Sequence, residues 1–588
     1  MTSEAYLTPS FNGFIWHLLQ CADNEAEALA ERFSLPIMTA RILSEKGLTV
    51  ESAKTFLYPT LKEHLPHPFS LKDMEKAANR MADAVIKNDP IGLMGDYDVD
   101  GATSTSVLKL YLSLCHIKVL TFIPEREDGY GPNAAKMQEY KDAGCSVVAT
   151  LDCGTTAFEP IEFGKSLGLD VIILDHHNAE TTLPQAYAIV NPKRMDEPID
   201  HPCRNLAAVG VVFLFVIALN KVLRERGFWQ DKTEPNLMQF LDLVAFGTVC
   251  DVMKLIGVNR LLVKSGLIQM SKGQNMGLSA LARLVNLSEA PNTYHLGYLF
   301  GPRVNACGRV GKSDLGMQLL SCTDSIQAEI LAQELDSLNV LRKEIETDVL
   351  SQAIEQVESR PDHSPFIVVK GNDWHCGVIG IVAGRLKEKY NLPAFVLTNE
   401  DGEIKGSSRS VTGIDVGTLI MNAMSKGILL RGGGHPMAAG FSLNPDKIDE
   451  FVQFLTENIR EDQVRNIEPV LDISGVLNLS GVTIDTVKSL DILAPFGEGN
   501  NEPLFILQNV RITYSNLLKN GHISCTLANE AGQTMRAIAF RASDTEMGRQ
   551  MLSSHGEKFY DVVVTLHFET WHGSDRIQIY IVDMRLSG

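Results

Sequence analysis

The chain has 588 residues, 45% hydrophobic and 21% charged, with 53 basic against 72 acidic side chains and a formal charge of -19. That length exceeds a single core and predicts roughly three or four domains of ~150 residues. The acidic balance excludes indiscriminate nucleic-acid binding through a broadly basic surface, though not a local basic channel, and no apolar run reaches the ~18 residues of a membrane span.

The opening MTSEAYLTPS lacks the basic-then-apolar plan of a signal peptide. Ten cysteines without a C-x-x-C pair predict reduced thiols and a cytoplasmic location. Residues 1–75 read as a helical leader, with apolar positions at helical spacing in AEALAERF and MTARILSEKG and a boundary at Pro59, Pro66 and Pro68. Over 76–324 short apolar runs first alternate with helical stretches: IGLM, KVLTFI, SVVATL, VIIL and AYAIV. That alternation predicts βαβ units and a parallel sheet, followed by mainly helical sequence from 205 to 320. Residues 325–360 form one long helix with Leu331, Leu335, Leu338, Ile345 and Val349 on a stripe, ended by Pro361. A second α/β unit occupies 361–460, with strands at PFIVV and PAFVL. In 461–588, five strand candidates enclose one helix between the third and fourth, with a last hairpin turn at WHGS. That is the order of an OB-fold, a common single-strand nucleic-acid platform. The predicted class is thus α/β with an all-β C-terminal domain.

Chemistry concentrates just after the first-half strands, where open α/β sheets place their ligand crevice. Asp96, Asp98 and Asp100 stand in GDYDVDG, Asp152 in VVATLDCGTT, and Asp175-His176-His177 in VIILDHHN. Carboxylates and imidazoles gathered at one sheet edge repel one another unless cations hold them, and this oxygen-rich set suits Mn²⁺ or Mg²⁺. The Asp spacing of DYDVDG imitates a calcium EF-hand, but Val107 stands where that loop needs its twelfth-position Glu. Two plainer roles compete: Asp100 as N-cap of the helix beginning GATSTSVLKLYL, and Asp152 as cap of GTTAFEPIEF. Asp175 is placed to orient an imidazole. For Trp374 a core position is the safer reading, with base stacking behind it.

GDYDVDGATS, Asp152, LDHH and the later Asp251 resemble the four signature motifs of the DHH phosphoesterase superfamily. IPEREDGYGPN, GPRVNACGRVG, WHCGVIGIVAGRLKEKY, KGSSRSVTGID, RGGGHPMAAG and APFGEGNNEPLF narrow the likeness to its RecJ family of single-strand-specific DNA exonucleases. NLAAVG (205–210) departs from the family's usual Cys-Gly. The resemblance implies that Asp98, Asp100, Asp152, His176 and Asp251 ligate two Mn²⁺ or Mg²⁺ ions, with Asp96 beside them. Proton transfer falls to His176 or His177. It implies phosphate contacts from Arg126, Arg303, Asn305, Arg309, Ser407 and Arg409. Gly433, Gly434 and His435 of the glycine-rich motif would face the metals across a cleft. The activity implied is 5′-to-3′ degradation of single-stranded DNA to 5′-mononucleotides in recombination and repair, by a monomer. Single-strand-binding protein, a RecQ-type helicase and mismatch-repair factors are the implied partners. The alternative is a DHH phosphodiesterase acting on short oligonucleotides or cyclic dinucleotides, a group that generally lacks the OB-like tail.

Overall fold

The computed structural model describes residues 9–125, 131–359, 364–460, 469–554, 556–571 and 574–587. They fall into two compact units, one within Leu65–Ile467 and one within Met1–His64 and Glu468–Gly588. Regular structure begins with strand β1 (Ile15–Leu18) and the helices Asp23–Phe33, Ile37–Glu45 and Val50–Leu57.

In the Leu65–Ile467 unit, β2 (Ile91–Gly95), β3 (Val119–Phe122), β4 (Val147–Leu151), β5 (Asp170–Leu174) and β6 (Ala188–Val190) form a sheet in the order β3-β2-β4-β5-β6. Every pairing in it is parallel. The apolar runs read from the sequence are these strands; β2 and β4 are buried along their whole length, as helices covering both faces demand. Register decides what the sheet presents. Gly95 pairs with Leu151, Leu151 with Leu174, and Leu174 with Val190. Asp96, Asp152, Asp175 and Asn191 therefore each follow the last paired residue of neighbouring strands, which lie ~4.8 Å apart.

The helix Ser325–Glu358 fills the predicted span and at 1.5 Å per residue is about 50 Å long. Leu331, Leu335 and Val349 of the predicted stripe are buried. Its waist is polar instead: Asn339, Arg342 and Glu346 are buried and bonded to one another, and Arg385 reaches Glu346 at 3.4 Å. Its last turns pack Val349 and Ala353 into the core of the second sheet. That sheet runs β10 (Arg431–His435), β11 (Ala438–Leu443), β9 (Glu403–Arg409), β8 (Ala394–Glu400), β7 (Ile367–Gly371), parallel only at β7–β8. Trp374 sits in the same core, 6% exposed, and donates to Gln352 Oε1 at 2.9 Å, which settles it as a packing residue.

The other unit carries β12 (Val470–Ile473), β13 (Gly475–Leu477), β14 (Phe505–Leu517), β15 (Ile523–Ala528), β16 (Thr534–Ala539), β17 (Tyr560–Trp571) and β18 (Ser574–Leu586). The order β14-β15-β16-β18-β17 closes through β14–β17 pairing into a five-stranded barrel. Helix Glu546–Ser553 lies between its third and fourth strands, the OB-fold plan expected. Part of WHGS lies outside the described residues. The stretch read as one leader over 1–75 divides after His64. Strand β1 pairs in parallel with β12, and Leu29, Leu43 and Leu57 share a core with Phe505, Val562 and Ile579 of the barrel. A helix with an apolar face must bury it, and here the barrel supplies the partner surface.

Candidate metal centre

Asp96 leaves β2 and Asp98 N-caps the helix Val99–Leu114, accepting from Gly101 N at 3.0 Å. The capping role weighed for Asp100 as an alternative thus belongs to Asp98. Asp100 turns inward, 1% exposed, and accepts from Ala208 N at 2.7 Å and Val209 N at 2.9 Å. The NLAAVG segment therefore caps its own helix, Ala208–Glu225, with the carboxylate of a neighbouring motif.

Asp152 follows β4 at φ 62°, in the left-handed region that non-glycine residues seldom occupy. Its N–H still donates to Leu174 O at 3.0 Å, which continues the ladder and holds the strained turn in place. Asp152 does not cap the next helix, whose N-cap residue is Ala157. Instead Asp175 Oδ2 accepts from Thr155 N at 3.0 Å. Asp175 Oδ1 accepts from His176 N at 2.7 Å, His177 N at 3.1 Å and His177 Nδ1 at 2.8 Å. Burial works against this carboxylate, but the His177 hydrogen bond and charge outweigh it and hold Asp175 below the usual range.

The two histidines are set apart by their partners. His176 Nδ1 lies 3.1 Å from Leu206 O, an acceptor that fixes the proton on Nδ1 and frees Nε2 as a lone pair. That Nε2 lies 3.3 Å from Asp152 Oδ1, 3.5 Å from Asp251 Oδ2 and 3.8 Å from Asp100 Oδ2. Burial and then the His177 charge lower its pKa to about 3, so the ring is neutral. Burial also lowers His177, but the Asp175 bond and charge prevail and raise it to about 9.

Asp251 follows the helix Leu241–Cys250 as its C-cap, where the helix macrodipole is negative. Burial, with Asp100 and Asp98 adding repulsion, raises its pKa to about 9. The same causes raise Asp100 to about 7 and push Asp152 well up. Asp251 Oδ2 is buried with no hydrogen-bond donor among the described residues. These are the marks of a donor set arranged for cations. Three groups have ligand atoms all within 4.8 Å of one another: Asp152, His176 and His177; Asp100, His176 and Asp251; Asp96, Asp98 and Asp152. Asp152 and His176 each belong to two of them. Every residue expected as a metal ligand is thus in one cluster, and the residues present fit divalent cations.

The sequence reading missed the next position along the sheet edge. Asn191, after β6, donates to His177 O and Thr155 Oγ1, both at 2.9 Å. Burial lowers the Lys193 ammonium while the charges of Asp251, Asp175 and Asp152 draw it back up, which places it beside the cluster. The strand-end pattern that exposed the other residues applied to AYAIVNPK too.

The residues expected to contact phosphate are placed by packing. Arg126 lies outside the described residues. Arg303 pairs with Asp336 of the long helix at 2.8 Å and donates to Leu299 O at 2.7 Å. Asn305 Oδ1 accepts from Val99 N at 3.1 Å, tying its helix to the DYDVDG turn. Arg309 Nη1 donates to Gly377 O at 3.0 Å. A Cβ on Gly308 would stand 3.0 Å from Tyr97 O, and one on Gly377 only 2.3 Å from Arg309 O, so backbones touch from the acidic turn to the helix Cys376–Tyr390. A Cβ on Gly380 of that helix would meet Ser407 Oγ at 3.0 Å and Arg409 Nη2 at 3.4 Å. Arg409, at the end of β9, has no carboxylate within 4.0 Å among the described residues, and burial lowers its pKa. Gly433, Gly434 and His435 lie exposed on β10, at the edge of the second sheet.

Residues 90–248 match the DHH family, N-terminal domain; 363–461 match the DHHA1 domain; and 473–583 match the RecJ OB domain. The chain is 32% identical over 584 residues to the single-stranded-DNA-specific exonuclease RecJ of Bacillus subtilis, covering 97% of this chain and 71% of the relative. Against the Escherichia coli protein of the same name identity is 33% over 576 residues, 95% of this chain and 97% of the relative. The structure of RecJ in complex with Mn²⁺ from Thermus thermophilus superposes with a TM-score of 0.80 at 27% identity, over 97% of this chain and 80% of that one. With identity above 30% along nearly the whole of both chains and all three domain types in order, the chain belongs to the RecJ family of DHH proteins.

Proposed function

We infer that the chain is a metal-dependent exonuclease that hydrolyses single-stranded DNA from the 5′ end to 5′-mononucleotides. The carrying observation is the donor cluster in which Asp152 and His176 are each shared between two groups, as a two-ion centre requires. Mn²⁺ or Mg²⁺ held there supplies Lewis acidity to the phosphodiester and a hydroxide nucleophile at neutral pH. His176 gives its Nε2 lone pair to that centre, and Leu206 O keeps the other nitrogen protonated. His177, charged through Asp175, holds a proton for the departing oxygen. Arg409, without a carboxylate partner among the described residues, is suited to the terminal phosphate, with Ser407 beside it. The OB barrel is a platform for single-stranded nucleic acid. Partners such as single-strand-binding protein rest on the family alone.

The test is digestion of end-labelled single strands of either polarity with Mn²⁺, Mg²⁺ or chelator, for the wild type and Asp152→Asn. Mononucleotide release from the 5′ end, abolished by chelator and cut roughly 10³-fold by Asp152→Asn, is expected. Hydrolysis that persists in chelator, or proceeds from the 3′ end, refutes the reading.

A further inference from the structure

The GVNR segment (257–260) supplies a residue that the mechanism above does not use. Asn259, third residue of the helix Gly257–Met270, is 2% exposed. Its Nδ2 donates to Asn205 O at 2.5 Å and to Lys254 O at 3.1 Å. Both partners are carbonyls, so the amide nitrogen must be the atom that faces them. Its Oδ1 is buried with no hydrogen-bond partner among the described residues. Leaving a buried acceptor without a partner is unfavourable, and the side chain accepts that while serving two carbonyls.

What those carbonyls belong to gives the reason. Asn205 immediately precedes Leu206, whose carbonyl fixes the His176 tautomer. Two residues further, Ala208 N and Val209 N hold both oxygens of Asp100. Lys254 is three residues past Asp251, and the turn between them carries Val252 at φ 53°, a strained conformation for a β-branched residue. One amide therefore clamps two separate backbone segments, one orienting His176 and Asp100 and the other presenting Asp251. These three side chains form one of the candidate cation groups.

We propose that Asn259 is a positioning residue for the metal centre, acting through the 205–209 segment and the 251–254 turn. It touches neither metal nor substrate. The inference rests on the two-ion reading and goes beyond it by assigning the group that sets the spacing of the ligands. Partners of this kind change metal affinity roughly 10–100-fold when removed.

The experiment compares full-length Asn259→Leu, Asn259→Asp and Gln269→Leu with the wild type. Gln269 lies on the same helix, 5% exposed, and bonds to Gln274, away from both segments. The readouts are Mn²⁺ affinity, from the resonance signal of the free ion, and thermal unfolding with and without Mn²⁺. Both Asn259 variants are expected to lose about tenfold in affinity and most of the Mn²⁺-induced rise in Tm. Gln269→Leu should lower the metal-free Tm and leave affinity unchanged. Wild-type affinity in both Asn259 variants overturns the proposal, as does an equal loss in Gln269→Leu. If Asn259→Leu fails to fold, Asn259→Asp, which keeps the side-chain volume, decides. Failure of the wild type itself to bind Mn²⁺ overturns the two-ion reading and this proposal with it.

Discussion

Replacing Asp175 by Asn separates the orienting carboxylate from the ligands it serves. Its Oδ1 takes three donors and its Oδ2 takes Thr155 N. Asparagine has one oxygen. With that oxygen at the Oδ1 position, the amide nitrogen meets the Thr155 N–H, and the opposite rotamer sets an NH₂ against three donors. The better arrangement loses one bond and the carboxylate charge, and bonds to a charged group contribute ~1.5–3 kcal/mol each. The ion pair with His177 is the pH-dependent part. His177 is raised from 6.5 to about 9, so its stabilisation is complete below pH 6.5 and gone once pH passes 9. Asp175 is depressed, so its share is present above pH 3.8 and lost as pH falls below it. Because the His177 side chain is 38% exposed, solvent screening leaves this part at ~1 kcal/mol. Thermal unfolding in excess chelator should therefore show Asp175→Asn ~2–4 kcal/mol less stable at pH 5.5, with the gap narrowing by ~1 kcal/mol at pH 9.5. An equal gap at both pH values, or a wider one at pH 9.5, refutes the pairing as its source.

Arg409→Ala should leave Tm unchanged or raised, since it removes a largely buried cation that has no carboxylate partner among the described residues. It should slow cutting of 5′-phosphorylated strands more than unphosphorylated ones, and equal slowing of both contradicts the assignment. Asp242, 1% exposed, is pushed up to about 7 by burial. A raised acid costs stability as pH climbs from 4 through 7, so Asp242→Asn should be more stable by ~1–3 kcal/mol at pH 8. That gain should vanish at pH 4, and its persistence there would show another cause. Gly377→Ala, whose Cβ would stand 2.3 Å from Arg309 O, should cost ~1–3 kcal/mol in chemical denaturation; a neutral result would mean that the two helices part freely.

The metal centre was legible because parallel strands advertise themselves twice. Their apolar runs mark where they lie, and the first polar residue after each run marks the sheet edge. Asp96, Asp152 and Asp175 follow that rule and fall in register. Asp251 needed the family resemblance, because it ends a helix, and helical spacing says nothing about which turn meets the sheet. The competing role of Asp100 as a cap of its own helix could not be dismissed from local spacing, which does not show that two amide groups 108 and 109 residues away claim its oxygens. Arg303 and Asn305 entered through the resemblance as phosphate contacts; what spacing could not show is that Arg303 also pairs with Asp336 and that Asn305 Oδ1 accepts from Val99 N. The OB barrel was readable from the order of five strand candidates with one helix between the third and fourth, whereas the destination of the first 64 residues was not. Amphipathic helices announce that they need a partner without saying which.

The pairing of β1 with β12 makes one segment depend on another that is synthesised only after the whole Leu65–Ile467 unit. Between His64 and Glu468 the ribosome must add 403 residues, which at 5–20 residues per second takes roughly 20–80 s. Throughout that interval the apolar faces around Leu29, Leu43 and Leu57 have no barrel to cover them. Nascent chains stalled before β14 should therefore be clipped by protease within 9–64, and those released whole should resist.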